Sequence, residues 1–180
     1  MILSDFDLMN VIRSKRLAIE PFSEDIVREN GVDFRLADEV GRHKQMGADF
    51  VMDPYNEETI KAGYEIEKGV NEILIGAKEQ VLLTTNEHIS VPDDLVGFVE
   101  LRSTWARHGL SMPPTIIDAG FSGTITLEVV NNAPYKIRIK PLQRFAHIVF
   151  LKASSRVTKV YAGTYNDQKG VKLPKVIKEL

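Results

Sequence analysis

Residues 116–130 read IIDAGFSGTITLEVV, a turn signal followed by a strand signal. Every second residue from Ile125 to Val129 is apolar, which is the period of a strand that buries one face. Glu128 falls on the opposite, polar face of that strand. The preceding Asp118-Ala119-Gly120 segment has residue types that favour a turn. The stretch therefore predicts a half-buried β-strand that presents a carboxylate.

Similar strand signals recur on both sides of this stretch. The predicted strands cover residues 32–36, 64–67, 72–75, 80–85, 96–101, 124–130, 135–139 and 145–151. Turn signals such as Val91-Pro92-Asp93-Asp94 and Asn131-Asn132-Ala133-Pro134 separate them. Many short strands joined by turns are typical of an all-β sandwich or barrel and not of an open parallel sheet. The sequence thus predicts a mainly β chain.

Three segments are predicted to lie outside the strands. Ser4 has the residue type of a helix cap and begins a short N-terminal helix. The polar residues 41–62 are predicted to form a long loop with a helical turn at 57–62. Residues 153–180 form a polar C-terminal tail, which is either a mobile end or a lid over a ligand. We expect residues 1–180 to form one domain that includes this tail.

The composition excludes several classes of site. The chain has 180 residues, a net charge of −2 and no cysteine. Without cysteine there are no disulfides, no thiolate nucleophiles and no Cys ligands of the kind that zinc deaminases use. The four histidines are scattered singly, so no metal site is predicted. The small net charge gives no field that would attract a nucleic acid polymer. No apolar run approaches the roughly 18 residues of a membrane span. The first ten residues also lack a signal-peptide pattern. We therefore expect a cytoplasmic protein without a membrane partner.

Two segments concentrate polar groups that can take part in chemistry. Residues 102–107 read RSTWAR directly after a predicted strand. Their two arginines and two hydroxyls suit either an anion-binding site or an ordinary capped surface helix. Glu128 is either a general base in a pocket or a solvent-facing group on an antiparallel sheet. The local pattern leaves both pairs of alternatives open.

The same segments belong to a longer series of motifs. In chain order these are NGVDFRL (30–36), RSTWARHGL (102–110), IDAGFSGTITLE (117–128), RFAHIVF (144–150) and YAGTYNDQKG (161–170). In order and spacing they resemble the dCTP deaminases of the dCTP deaminase/dUTPase superfamily. The resemblance covers most of the chain and is weakest over residues 41–62. It implies a distorted β-barrel or jelly roll of the dUTPase-like type, with a short N-terminal helix.

The resemblance also implies an assembly and a reaction. The assembly is a homotrimer with active sites between subunits, over which the C-terminal tail closes. The reaction is hydrolytic deamination of dCTP to dUTP and ammonia, which feeds thymidylate synthesis. Mg²⁺ is expected on the phosphates of the nucleotide, zinc is not expected, and dTTP is the expected inhibitor.

Roles for individual residues follow from the same resemblance. Glu128 matches the base that takes a proton from water as the water adds to C4 of cytosine, and Ser103 and Arg107 match residues that assist it. Asp118 matches the group that contacts the 3′-hydroxyl of the sugar. The substrate-binding residues implied in this way are Arg102, Ser103, Thr104, Trp105, Ala106, Arg107, Asp118, Thr126, Leu127, Glu128, Tyr161 and Gln168.

Some positions depart from the family pattern. Trp105 replaces a smaller apolar residue, and His147 stands where glutamine is common. Thr164 stands where a phosphate-contacting lysine is common, and Lys169 is a candidate to replace that lysine.

Three other functions compete with dCTP deamination alone. The chain would be bifunctional and release dUMP, or a dUTPase alone, if Asp118 activates water at the α-phosphate. Glu128 favours deamination, because a pure dUTPase does not need a carboxylate there. A regulator that binds nucleotide without catalysis is the third alternative, and it would not need Glu128 either.

Overall fold

The computed structural model describes residues 1–178 as a mainly antiparallel β-structure. The helices are α1 (Asp5–Arg13), α2 (Glu57–Gly63) and α3 (Ser103–Arg107), with a 3-10 turn at Glu24–Ile26. The strands are β1 (Ala18–Glu20), β2 (Val27–Arg28), β3 (Gly31–His43), β4 (Tyr64–Lys68), β5 (Ile73–Ile75), β6 (Gln80–Thr85), β7 (His88–Ser90), β8 (Leu95–Leu101), β9 (Leu110–Ser111), β10 (Thr115–Ile117), β11 (Ser122–Gly123), β12 (Thr126–Asn131), β13 (Ile137–Ile139) and β14 (Arg144–Lys152). The last two residues of the predicted tail, 179–180, lie outside the described part. Within residues 1–178, every helix is too short or too polar to cross a membrane.

The longest strand, β3, joins the two halves of a curled sheet. The strand order in this sheet is β10-β8-β14-β3-β6-β12-β9, and β2 and β4 also pair with β3. The first half of β3 pairs with β14, and its second half pairs with β6 and β4. The register of β3 against β6 shifts between Leu36 and Val40, an irregularity of the kind that bends a sheet. Two smaller sheets, β1-β7-β11 and β13-β5, complete the architecture. The predicted mainly β, barrel-type fold is confirmed.

One apolar core holds the three sheets together. Phe34, Phe145 and Phe150, which lie on the paired strands β3 and β14, are fully buried in it. Ile19 of the three-stranded sheet and Ile75 of the two-stranded sheet belong to the same cluster. Full burial of each such side chain contributes about 1.5–3 kcal/mol. The large sheet is therefore a firm support for the residues on its open face.

The N-terminal helix begins where the sequence predicts. The Ser4 hydroxyl accepts a hydrogen bond from the Asp7 backbone N–H at 3.3 Å and so caps α1. Asp5 and Asp7 lie in the first turn, where the helix dipole favours negative charge. Leu8 buries the inner face of the helix completely.

The predicted loop at 41–62 is partly wrong. Strand β3 continues to His43 and pairs with β4, with Gly41 opposite Ile66 and His43 opposite Tyr64. The polar side chains misled the prediction, because this end of β3 is half exposed. The predicted helical turn is confirmed as α2, which Asn56 caps by accepting from the Glu58 backbone N–H at 2.9 Å.

The strand predicted at 124–130 begins two residues later, at Thr126, and continues to Asn131 as β12. Residues 124–125 lie between β11 and β12 and belong to neither strand. The Thr124 N–H donates instead to the carbonyl of Gln168 in the tail, at 2.9 Å. The very short strands β1, β2, β7, β9, β10 and β11 carried too few residues to show a period and were not predicted.

Candidate active site

Glu128 occupies the middle of β12, and the alternation of that strand fixes its direction. Leu127 and Val129 are buried in the core, with Leu127 only 1% exposed. Glu128 is half buried on the other face, directly opposite Leu82 of β6 in the ladder. It lines a cavity of about 360 Å³. The carboxylate therefore faces a pocket and not open solvent.

Three parts of the chain enclose this cavity. The sheet provides Gln80, Leu82, Thr126 and Glu128 from β6 and β12. Strand β10 provides Thr115, Ile116 and Ile117, and Asp118 follows directly after it. The tail provides Tyr161, Tyr165, Gln168, Lys172 and Pro174. A mixture of apolar walls and a few polar groups in a cavity of this size is typical of small-molecule sites.

Burial raises the pKa of the Glu128 carboxyl above its ordinary value, and a backbone hydrogen bond opposes part of that effect. The cause is physical: a half-buried carboxylate loses hydration, so its charged form is disfavoured. A carboxylate with a raised pKa is a stronger proton acceptor, which is what a general base near neutral pH requires.

The first half of the tail is attached beside Asp118. The Tyr161 N–H donates to the Ala119 carbonyl at 2.9 Å, and the rings of Tyr161 and Phe121 lie 5.9 Å apart. Gly120 has a φ of +89°, and a Cβ atom there would lie 2.6 Å from Val160 Cβ. Only glycine allows the turn and the tail to approach this closely.

The second half of the tail is attached beside β12. Gln168 is buried, and its side-chain Nε2 donates to the Thr124 carbonyl at 2.6 Å. Further along, the Val171 N–H donates to Glu39 Oε2 at 3.1 Å, and the Lys172 N–H donates to the Thr126 hydroxyl at 3.2 Å. Residues 161–172 thus lie along one side of the Glu128 cavity.

The arginine-rich segment lies apart from this cavity. None of residues 102–107 lines it, and Ser103, Thr104, Ala106 and Arg107 are exposed on α3. Arg102, Thr104 and Trp105 instead border a separate cavity of about 370 Å³, which they share with Leu142, Gln143 and Arg144. One copy of the chain therefore brings together five of the predicted residues: Asp118, Thr126, Glu128, Tyr161 and Gln168. The side chain of Leu127 points into the core, which leaves only its backbone beside the site.

Helix α3 is nevertheless held firmly to the sheet. The Arg102 N–H donates to the Phe145 carbonyl at 3.0 Å. The Trp105 indole Nε1 donates to the Arg144 carbonyl at 2.9 Å, and its ring packs on Phe145 with centroids 5.6 Å apart. The tryptophan that departs from the family pattern therefore serves as an anchor for α3.

Several residues of the cavity were not predicted from the sequence. They are Tyr64, Gln80, Leu82, Thr115, Ile116, Ile117, Phe121, Ile125, Tyr165, Lys172 and Pro174. Gln80 and Leu82 alternate along β6 in the same way as Thr126 and Glu128, but the pairing of the two strands has no local signal. Lys172 lines the cavity, whereas Lys169, the candidate substitute for the missing lysine, does not.

The chain resembles known proteins over nearly its whole length. The family model described as dCTP deaminase-like matches residues 2–153. A dCTP deaminase of Pyrobaculum islandicum is 44% identical over 97% of this chain and 97% of its own length. One of Saccharolobus solfataricus is 45% identical over 97% of this chain and 92% of its own length. A probable deoxyuridine 5′-triphosphate nucleotidohydrolase of Sulfolobus islandicus rod-shaped virus 1 is 43% identical over 97% of this chain and 99% of its own length.

A solved structure supports the fold as well. The 2′-deoxycytidine 5′-triphosphate deaminase of Agrobacterium tumefaciens superposes with a TM-score of 0.64 at 18% identity, over 83% of this chain. The match spans 46% of that protein's chain. By its sequence matches, the chain belongs to the dCTP deaminase-like family.

Proposed function

We propose that the chain catalyses the hydrolytic deamination of dCTP to dUTP and ammonia. Its full-length relatives with 43–46% identity are mostly named dCTP deaminase. The observation that carries the proposal is Glu128, a half-buried carboxylate with a raised pKa that faces a cavity of nucleoside size. Asp118 faces the same cavity.

Glu128 acts as the general base in this proposal. It accepts a proton from a water molecule while the water oxygen bonds to C4 of cytosine. The protons then pass to N3 and to the amino group, and the C4–N bond breaks to release ammonia and leave a carbonyl. Burial of Glu128 supports this role, because it strengthens the base and limits competing solvent.

The other residues of the cavity bind the nucleoside. Asp118 is a suitable acceptor for the 3′-hydroxyl of the sugar, and the backbone of Thr126 and Leu127 is positioned beside Glu128 to contact the base. Tyr161 and Gln168 bring the tail to the same cavity. In the proposal, residues 153–178 thereby act as a cover that excludes water from the bound nucleotide.

The exposed residues of α3 complete the site from a neighbouring copy. Ser103 and Arg107 would assist Glu128, and Arg102 would contact the phosphates, but none of them lines the Glu128 cavity of the same chain. We therefore propose a homotrimer with active sites between subunits. Sedimentation that gives the mass of a monomer at assay concentrations would contradict this assembly.

The proposal includes two ligands besides dCTP. Mg²⁺ would be carried by the triphosphate, whose charge it would neutralise. Among residues 1–178 no group of three or more His, Asp or Glu side chains is arranged to hold a metal. dTTP is the proposed inhibitor, and its addition to the assay should lower the rate.

A second function is favoured by one relative and one residue. The viral relative named as a probable deoxyuridine triphosphate nucleotidohydrolase is 43% identical to this chain. Asp118 lies in the same cavity as Glu128 and could activate water at the α-phosphate instead of binding the sugar. The alternative is an enzyme that also converts dUTP to dUMP and pyrophosphate, or does that reaction alone.

Product analysis separates these functions. Purified protein is incubated with Mg²⁺ and either dCTP or dUTP, and the nucleotides are resolved by chromatography while ammonia is assayed. Formation of dUTP and ammonia from dCTP, with dUTP left intact, supports deamination alone. Formation of dUMP from both substrates indicates a bifunctional enzyme. Hydrolysis of dUTP with dCTP unchanged would refute the role given to Glu128.

A further inference from the structure

Asp33 is a buried carboxylate to which the proposed mechanism gives no role. It lies on β3 with 2% of its surface exposed. His147 Nδ1, on the neighbouring strand β14, donates to Asp33 Oδ1 at 2.9 Å. The second oxygen, Oδ2, is buried and accepts no hydrogen bond within residues 1–178. An ionised carboxylate is costly to bury unless cations compensate its charge.

Two arginines provide that compensation. Arg102 Nε lies 3.3 Å from Asp33 Oδ2, and Arg144 Nη1 lies 4.0 Å from the same atom. Arg144 also pairs with the exposed carboxylate of Asp25. Arg102 has no other carboxylate partner among the described residues. The buried charge of Asp33 therefore acts chiefly on Arg102.

Arg102 is the N-cap residue that directly precedes α3, so its contacts fix the point at which that helix leaves the sheet. Its backbone N–H is bound by Phe145, and its Nη1 donates to the Arg144 carbonyl at 3.5 Å. The contact with Asp33 is the shorter of the two guanidinium contacts and the only one to a charged group. Without it, the side chain would keep one long hydrogen bond to a carbonyl that Trp105 already occupies.

We propose that Asp33 is a positioning residue for substrate binding, which orients Arg102 and the start of α3 toward the phosphate groups of the nucleotide. The inference rests on the proposed function, in which Arg102 contacts those phosphates. Asp33 acts through Arg102, because its own carboxylate is shielded from solvent. Loss of Asp33 should therefore weaken binding of the phosphates and leave recognition of the base and sugar unchanged.

His147 is the second support of this arrangement. Its ring lies against the backbone of Gly31, where a Cβ atom would come within 2.4 Å of His147 Nε2. The ring is therefore confined, and its Nδ1 stays directed at Asp33. Glutamine at 147 would retain a donor for the Asp33 carboxylate, whereas phenylalanine would fill the space without one.

The test is a double-mutant cycle that measures binding and not turnover. Dissociation constants for dCTP and dCMP are measured by calorimetry in Glu128→Gln protein, which we expect to hold substrate without converting it. Into this background we introduce Asp33→Asn, Arg102→Gln and both together. The matched control is Asp94→Asn, because Asp94 is also buried and pairs with an arginine, at 2.6 and 2.7 Å, but lies on another part of the fold.

The expected result is specific to the triphosphate. Asp33→Asn weakens dCTP binding about ten-fold, the usual effect of losing one charge-assisted contact, and changes dCMP binding by less than about two-fold. The double variant binds dCTP no more weakly than Arg102→Gln alone. Additive losses, an equal loss for dCMP, or an equal loss in Asp94→Asn would overturn the inference.

Two further measurements, on His147 variants and on dCTP deamination by the unmodified protein, complete the test. If circular dichroism shows that Asp33→Asn does not fold, His147→Phe should weaken dCTP binding selectively and His147→Gln should restore it. Equal binding by both His147 variants would then overturn the inference. Failure of the unmodified protein to deaminate dCTP would refute the proposed function. The dissociation constants of the double-mutant cycle would still test the role of Asp33, because they do not depend on turnover. Absence of dCTP binding would overturn both.

Discussion

Replacement of Glu128 by glutamine should lower activity and raise stability at the same time. The two side chains have the same shape, so the cavity keeps its form, but glutamine cannot accept the proton of the attacking water. Loss of a general base typically costs about 10²–10⁴-fold in rate. We expect kcat for dCTP deamination to fall by that factor, with dCTP binding within a few-fold of the original.

The stability effect follows from the pKa of Glu128. Burial raises this pKa above the ordinary value of 4.5, so the ionised group is less favourable in the folded chain than in the unfolded one. A carboxyl with a raised folded-state pKa contributes stability below its unfolded-state pKa and loses that contribution as pH rises through the folded-state pKa. The glutamine variant should therefore melt higher than the original protein at pH 7, and this advantage should vanish below about pH 4.5. In a domain of this length each kcal/mol of stability corresponds to about 2–4 °C, so thermal unfolding is sensitive enough to detect the rise.

Two assays and one control test this reasoning. Ammonia release is measured at saturating dCTP, and thermal unfolding is followed by fluorescence at pH 7 and at pH 4. Glu65→Gln is the control, because Glu65 is an exposed glutamate on β4, which pairs with β3 and not with β12, and its replacement should change neither quantity. Retained turnover in Glu128→Gln would refute the role of general base. A lower melting temperature at pH 7 would show that the ionised carboxylate is stabilised by its surroundings and not strained by burial.

Three further substitutions test the support of the site. Glu87→Ala should lower the free energy of unfolding by about 3–5 kcal/mol in urea titrations, because the fully buried Glu87 pairs with an arginine at 2.5 Å. Its control is Glu72→Ala, at an exposed ion pair, which should lower that free energy by at most about 1 kcal/mol. Equal losses would contradict this. Asn131→Asp should lower the free energy of unfolding by about 3 kcal/mol or more, since the buried amide donates to three carbonyls at 2.8–3.1 Å. Its control is Asn132→Asp, at an exposed position, which should lower that free energy by about 1 kcal/mol or less. A stable Asn131→Asp protein would refute the argument. Gly120→Ala should displace the tail, speed proteolysis of residues 153–178 and raise KM for dCTP; unchanged cleavage would contradict the close contact described above.

The sequence predicted those parts of the fold that local physics determines. Alternation from Ile125 to Val129 correctly separated the core face of β12 from the face that carries Glu128. Ser4 caps α1, as predicted, through a contact with a residue three positions away; Asn56, which was not predicted as a cap, caps α2 through a contact two positions away. Such signals need no knowledge of the rest of the chain, so a single sequence contains them in full.

The partners of Glu128 in its cavity could not be predicted in this way. Leu82 lies opposite Glu128 only because β6 pairs with β12 in one particular register, and Tyr64 arrives through the extension of β3 into the predicted loop. A strand's period shows which face is buried but not which strand lies beside it. The local pattern of residues 102–107 also gave no sign that α3 lies apart from the cavity. Only the family resemblance pointed that way, because it implied active sites between subunits.

That separation explains the electrostatic state of Glu128. Burial raises its pKa and one backbone hydrogen bond opposes that effect, and among residues 1–178 no cation contributes to the shift. An arginine within a few ångströms would favour the charged carboxylate and lower this pKa. If Arg107 of a neighbouring copy approaches Glu128 as proposed, assembly would shift the base toward its ionised, reactive form. Division of the carboxylate and the arginine between copies therefore makes the charge of the base depend on assembly.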